Sequence, residues 1–146
     1  MTSIGVIASI VLMTATGALS GGASSLTGVD NPQRAKVNWA LNCQGCHQAD
    51  ATGSAGGAPN MAGVISLFLG VEGGREYLAR VPGVAHAPLD DSQLAEVLNW
   101  SLQVFDADHI PEDFVPYTAQ EIGRLRRNPL ISEASIMREE LMSFFK

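Results

Sequence analysis

The clearest hydrophobic pattern in this chain runs from Leu94 to Phe105, where Leu94, Val97, Leu98, Leu102 and Phe105 mark one face at helical spacing. Asp90 and Gln93 stand ahead of it as the two halves of a capping box. A second helix is predicted earlier: Asn31 is a good N-cap, Pro32 suits the first helical position, and no breaker interrupts Gln33 to Asn42. Within it Val37, Trp39, Ala40 and Leu41 are candidate packing residues. Shorter helices are predicted over Val64 to Leu69 and Arg75 to Val81, separated by Gly70 to Gly74. Beyond a loop from Asp106 to Pro116, Thr118 and Glu121 form a second capping-box pair, opening a helix through Arg127 that Asn128-Pro129 halts. A last helix from about Ser132 carries Ile136, Met137, Leu141, Phe144 and Phe145. The expected fold class is therefore all-α.

Composition narrows the picture. At 146 residues and 46% hydrophobic side chains the chain is one small domain plus a leader. Only 16% of residues are charged and the net charge is −6, which argues against a nucleic-acid partner. The leader is the apolar run Ile4 to Leu19, followed by small residues that permit cleavage after Ser20 or Ala23. No Lys or Arg precedes that run, and Arg34 is the first basic residue. The run falls short of the roughly 20 apolar residues a membrane span needs, so a secretory signal over residues 1–23 is the expectation and a stable span after cleavage is not.

The chemistry sits in Cys43-Gln44-Gly45-Cys46-His47. A C-x-x-C-H run reads as an attachment site for c-type haem, because two thiols on one helical turn reach the two vinyl groups on one porphyrin edge and the next histidine meets the iron. Two other chemistries use C-x-x-C. A zinc site needs two more ligands, and only His86 and His109 remain, at no recognised spacing. A thioredoxin-like pair wants a preceding strand, whereas a helix is predicted before Cys43. Both cysteines of the chain lie in the motif, leaving no disulfide to staple the fold.

These residues resemble the attachment motif of the c-type cytochromes, and two further stretches extend the likeness to class I cytochromes c. Pro59-Asn60-Met61-Ala62-Gly63 is similar to their P-x-L-x-G element, with Met61 where leucine is usual. The resemblance implies that the Pro59 carbonyl accepts a hydrogen bond from His47, fixing its tautomer, and that Met61 packs on the same side of the porphyrin. Pro82 to Asp91, leading into the helix after Asp90, resembles the loop that carries the family's methionine ligand. No methionine stands there. His86 is the nearest ligand-capable residue, so three alternatives remain: His86 is the distal ligand, the position is open, or the ligand comes from elsewhere, Met61 included. The resemblance also places basic or phenolic groups such as Arg75, Tyr77 and Arg80 near the haem propionates, against the plainer reading of a solvated helix face.

The resemblance covers residues 31–105 and implies a small class I cytochrome c fold around one covalent haem c. It implies an electron carrier rather than an enzyme. The haem is attached on Cys43 and Cys46, His47 is the proximal iron ligand and His86 the candidate distal one. Covalent haem attachment outside the bacterial cytoplasmic membrane agrees with the predicted signal, so a periplasmic home is expected. A redox protein partner with a basic docking face is expected too, such as a periplasmic dehydrogenase or oxidase, for which the chain could be a dedicated subunit. A five-coordinate haem with gas-binding or peroxidase-like activity is the other reading. Residues 106–146 form a helical C-terminal extension with Arg124, Arg126, Arg127 and Arg138. It reads either as an appendage, removable after about Asp108, or as a docking surface.

Overall fold

In the computed structural model residues 25–145 are described; the predicted signal and its cleavage positions lie outside them. Those residues form α-helices joined by turns: α1 (Pro32–Asn42), α2 (Gln44–His47), α3 (Gly74–Arg80), α4 (Pro82–Ala85), α5 (Asp91–Phe105), α6 (Ala119–Leu125) and α7 (Ala134–Met142). Short 3-10 turns at Ile65–Gly70 and Ala107–His109 complete the chain, and no strand occurs among the described residues. No described helix is long and apolar enough to cross a membrane.

Local sequence explains the helix starts. The Asn31 side chain accepts from the Arg34 N–H at 2.9 Å with proline in the first turn of α1. Asp90 and Gln93 close the reciprocal capping box at the head of α5. The Thr118 box closes only halfway: its side chain accepts from the Glu121 N–H, while the Glu121 carboxylate is taken by Arg75 instead. The stretch predicted as a helix over Val64 to Leu69 is the 3-10 turn, and the one predicted over Arg75 to Val81 stops at Arg80, where Pro82 starts the separate α4.

The core is organised around α5, which crosses α1 on one side and packs α6 on another. Its predicted face is buried at Leu94, Val97, Leu98 and Leu102, with Phe105 half-buried. Burial extends further round the helix, to Glu96, Asn99, Trp100 and Ser101. Each of the three polar side chains among these has partners. Glu96 holds the start of α1 through Arg34 Nε and Nη2 and the Asn31 N–H, all at 2.8 Å. Asn99 bridges the Gly28 and Tyr117 backbones, and Ser101 donates to the Val97 carbonyl at 2.7 Å. Such satisfied groups fix where the helices cross.

In α1 the helical period puts Ala35 and Trp39 on the buried face. Val37, Ala40 and Leu41, expected to pack beside the cofactor, point outward, with Leu41 77% exposed. The C-terminal extension also differs from its reading as a removable appendage. Tyr117, Ile122, Leu130 and Leu141 are buried in the same apolar core as Phe68, Leu78 and Leu94. Arg75 reaches from α3 to the extension with two bonds to Glu121 and one to the Val115 carbonyl, each 2.7 Å, and its guanidinium lies 4.1 Å from the Tyr117 ring centre.

Candidate haem site

The helix α1 delivers Cys43 into a tight turn, and α2 carries Cys46 and His47 on from it; the Cys46 and His47 N–H groups both bond the Cys43 carbonyl. The chain then doubles back. Gly53 donates its N–H to the His47 carbonyl at 2.8 Å, and Ser54 closes on Ala58 at 3.0 Å. Gly53 has φ +72°, and a Cβ there would lie 2.3 Å from the Ala58 carbonyl oxygen, so the turn admits only glycine. Its product is the placement of Pro59, whose carbonyl lies 3.1 Å from His47 Nδ1. A carbonyl only accepts, so Nδ1 carries the proton and the Nε2 lone pair is left for a metal. Burial holds the imidazole below its ordinary pKa, against the bond to Pro59, and the Arg138 charge adds to the lowering. The neutral, ligating form is thereby favoured.

In front of His47 opens a cavity of about 530 Å³. Its lining comes from Trp39, Cys43, Cys46 and Pro59 to Met61, from Tyr77, Leu78, Val81 and Val84 of α3, α4 and the residue between them, and from Leu94, Val97 and Leu98 of α5. The size and apolar lining suit a buried organic cofactor. Trp39 sets its indole beside the His47 ring, centroids 5.9 Å apart, and against Phe105 at 4.7 Å. Its Nε1–H is buried without an acceptor among the described residues, an orphan donor on the wall of the cavity. Both thiols are unbridged. Burial, with a smaller contribution from Cys46, pushes the Cys43 thiol up to about 11, which disfavours the thiolate that zinc binding or disulfide exchange would need. Among the described residues no three Cys, His, Asp or Glu side chains gather as a zinc site would require. An apolar cavity, two thiols at its edge and an imidazole of fixed tautomer fit a covalent haem.

Of the residues singled out from sequence, Cys43, Cys46, His47, Pro59, Met61 and Tyr77 all line this cavity. His86 does not. It follows α4 with its N–H on the Pro82 carbonyl, its side chain is exposed, and Ala87 rather than His86 faces the cavity. Arg75 and Arg80 are also elsewhere, bonded to Glu121 and Val115 and to the Asn128 carbonyl respectively. Two residues of the extension do work that the sequence does not reveal. Arg138 of α7 lines the cavity with Ala134 and Ser135, donating to the Asn60 carbonyl at 3.1 Å. Arg126, the C-cap residue of α6, donates to the carbonyls of Ala85 at 3.1 Å, Ala87 at 2.6 Å and Leu89 at 2.8 Å, and to Asp91 at 3.2 Å. In the sequence both look like surface charge of a basic tail. Their partners lie some 40 to 80 positions away, and no local pattern announces such bonds.

An all-α domain crossing its first long helix over a later one, with a C-x-x-C-H turn feeding an apolar cavity, is the architecture of a class I c-type cytochrome. Comparison with known proteins gives the same answer. The chain is 33% identical over 106 residues to cytochrome c-552 of Thermus thermophilus, an alignment covering 60% of this chain and 81% of that protein. Against a second cytochrome c-552 sequence, from a named strain of the same species, the identity is again 33% over 106 residues, covering 72% of that protein. No family model matches the chain, and no solved structure does. The chain belongs to the mono-haem c-type cytochromes, and its role is that of an electron carrier.

Proposed function

We propose that this chain is an exported carrier of single electrons that works in the periplasm between a dehydrogenase or similar donor and a further redox protein. The observation that supports it most is the His47–Pro59 bond beside Cys43 and Cys46 at the edge of the apolar cavity. In this reading Cys43 and Cys46 hold the haem by thioethers and His47 is its proximal ligand. The bound haem supplies the one-electron chemistry. The protein's part is to keep His47 neutral and oriented, and to exclude water with Leu78, Val81, Leu94, Val97 and Leu98. A net charge of −6 favours a partner with a basic face. The reading of Ile4 to Leu19 as a signal, and the chemistry of haem attachment, support export.

Voltammetry of the purified holoprotein tests the carrier role: one reversible one-electron wave is expected, and the absence of reversible electron transfer would refute it. Fractionation of the producing cells tests export. Haem-stained protein in the periplasmic fraction, with residues 1–20 or 1–23 removed, is the expected result; haem protein confined to the cytoplasm would overturn it.

A further inference from the structure

The α3–α4 side of the cavity carries no iron ligand of the ordinary kind. Among the described residues lining the cavity, the imidazole is His47 and the thioether is Met61. The Met61 backbone is tied to the His47 side: it is two residues past Pro59, and its N–H is bonded to the Ala51 carbonyl just behind the attachment turn, at 2.8 Å. The α3–α4 side is built by α3, which packs on the 3-10 turn at Ile65–Gly70, on α6 and on α7, and by α4, which packs on α3. It presents Leu78, Val81, Val84 and one polar group, the phenol of Tyr77.

His86 is kept away from this side by the backbone around it. Arg126 grips the carbonyls on both sides of His86, those of Ala85 and Ala87, as well as Leu89 beyond. Turning the imidazole into the cavity would need this segment to rotate and give up bonds to a guanidinium whose side chain is only 17% exposed. Tyr77, by contrast, is in place. It is 5% exposed, and its ring stacks on Phe68 at 5.1 Å. The other tyrosine, Tyr117, donates its O–H to the Arg75 carbonyl, whereas the Tyr77 O–H has no partner among the described residues. A phenol on the wall of the cavity whose O–H is not taken by the protein can donate it to a ligand atom held there.

We propose that this chain leaves the distal coordination position open and takes a small exogenous ligand there, with the Tyr77 phenol as its hydrogen-bond donor. The inference rests on the haem reading above and adds a binding function to the carrier. Small ligands that accept a hydrogen bond suit this place, carbon monoxide and fluoride being convenient probes of the reduced and oxidised states. Binding here is coordination plus one hydrogen bond, and no oxidant or reductant is consumed.

The experiment titrates the holoprotein, its haem content fixed first by the pyridine haemochrome of the denatured protein. That step separates the two readings: a chain without covalent haem refutes the haem assignment, independently of what happens on the distal side. With haem present, the reduced protein should bind carbon monoxide to one equivalent and the oxidised protein should bind fluoride. Tyr77→Phe should keep its haem, raise the carbon monoxide stretching frequency and weaken fluoride about fivefold, the loss of one ordinary hydrogen bond. Failure of the unaltered reduced protein to bind carbon monoxide would overturn the proposal. So would binding that appears only in His86→Ala or only in Met61→Leu, since the substituted residue would then be the sixth ligand. Carbon monoxide and fluoride binding that Tyr77→Phe leaves unchanged would overturn the role of the phenol.

Discussion

Arg126 is the residue whose loss should reveal most about how the extension serves the cavity. Its guanidinium reaches from the C-cap of α6 to the end of α4 and the segment leading into α5, making three bonds to carbonyls and one to Asp91, at 2.6–3.2 Å. Arg126→Met retains the apolar stem and removes the bonds. A hydrogen bond from a charged donor is worth about 1.5–3 kcal/mol net. Four bonds made by one side chain are not independent, and water can enter to replace the outermost, so the expected loss is about 3–5 kcal/mol rather than the fourfold sum. Set against a total stability of about 5–15 kcal/mol for a domain of this kind, that is a large fraction. The melting temperature should fall by about 10–20 °C. Urea denaturation followed by helical circular dichroism gives the number directly, and haem absorbance on the same samples reports whether the cavity opens in the same transition. Arg126→Lys, with a point charge that cannot reach all three carbonyls, should lose roughly half as much. A loss below about 1 kcal/mol in Arg126→Met would refute the clamp.

Three further outcomes are expected. Arg75 holds the Glu121 carboxylate below its ordinary pKa through two hydrogen bonds, against partial burial; the stability this pair contributes is therefore complete above the usual glutamate range and lost as pH falls through the depressed folded value, and Glu121→Gln should flatten the melting-temperature profile in that acid region. Ile122, fully buried in α6, should cost about 2–5 kcal/mol as Ile122→Ala in the same urea assay. Truncation after Asp108 removes Tyr117, Ile122, Leu130 and Leu141 from the core, so expression with the haem-attachment machinery should yield no soluble haem protein; a soluble, haem-loaded truncation product would contradict the packing described.

What the sequence disclosed was the chemistry whose partners are close along the chain. The attachment turn needs Cys43, Cys46 and His47 within five positions, and the Pro59 acceptor follows twelve residues on, in an element with a recognisable pattern. The caps at Asn31 and Asp90 are three-residue relations and are legible for the same reason. Glu121 shows where that legibility ends: its spacing from Thr118 announces a full capping box, but a partly buried arginine 46 positions away competes for the carboxylate and wins with two charge-assisted bonds. His86 is similar. Its position before a capped helix points inward, and the grip of Arg126 on the flanking carbonyls, 39 and 41 positions off, holds it outward. The same blindness hides the extension's place in the core, because an amphipathic helix such as Ala134–Met142 shows that one face is buried without saying against what.

The central claim is that Cys43 and Cys46 carry a haem. The direct measurement is the intact mass of the holoprotein after denaturation and extraction with acidified organic solvent. The account predicts a coloured polypeptide whose mass exceeds that of its chain by one haem, and a Cys43→Ala Cys46→Ala variant whose mass is that of the bare chain. A colourless polypeptide with its haem in the organic phase would contradict it.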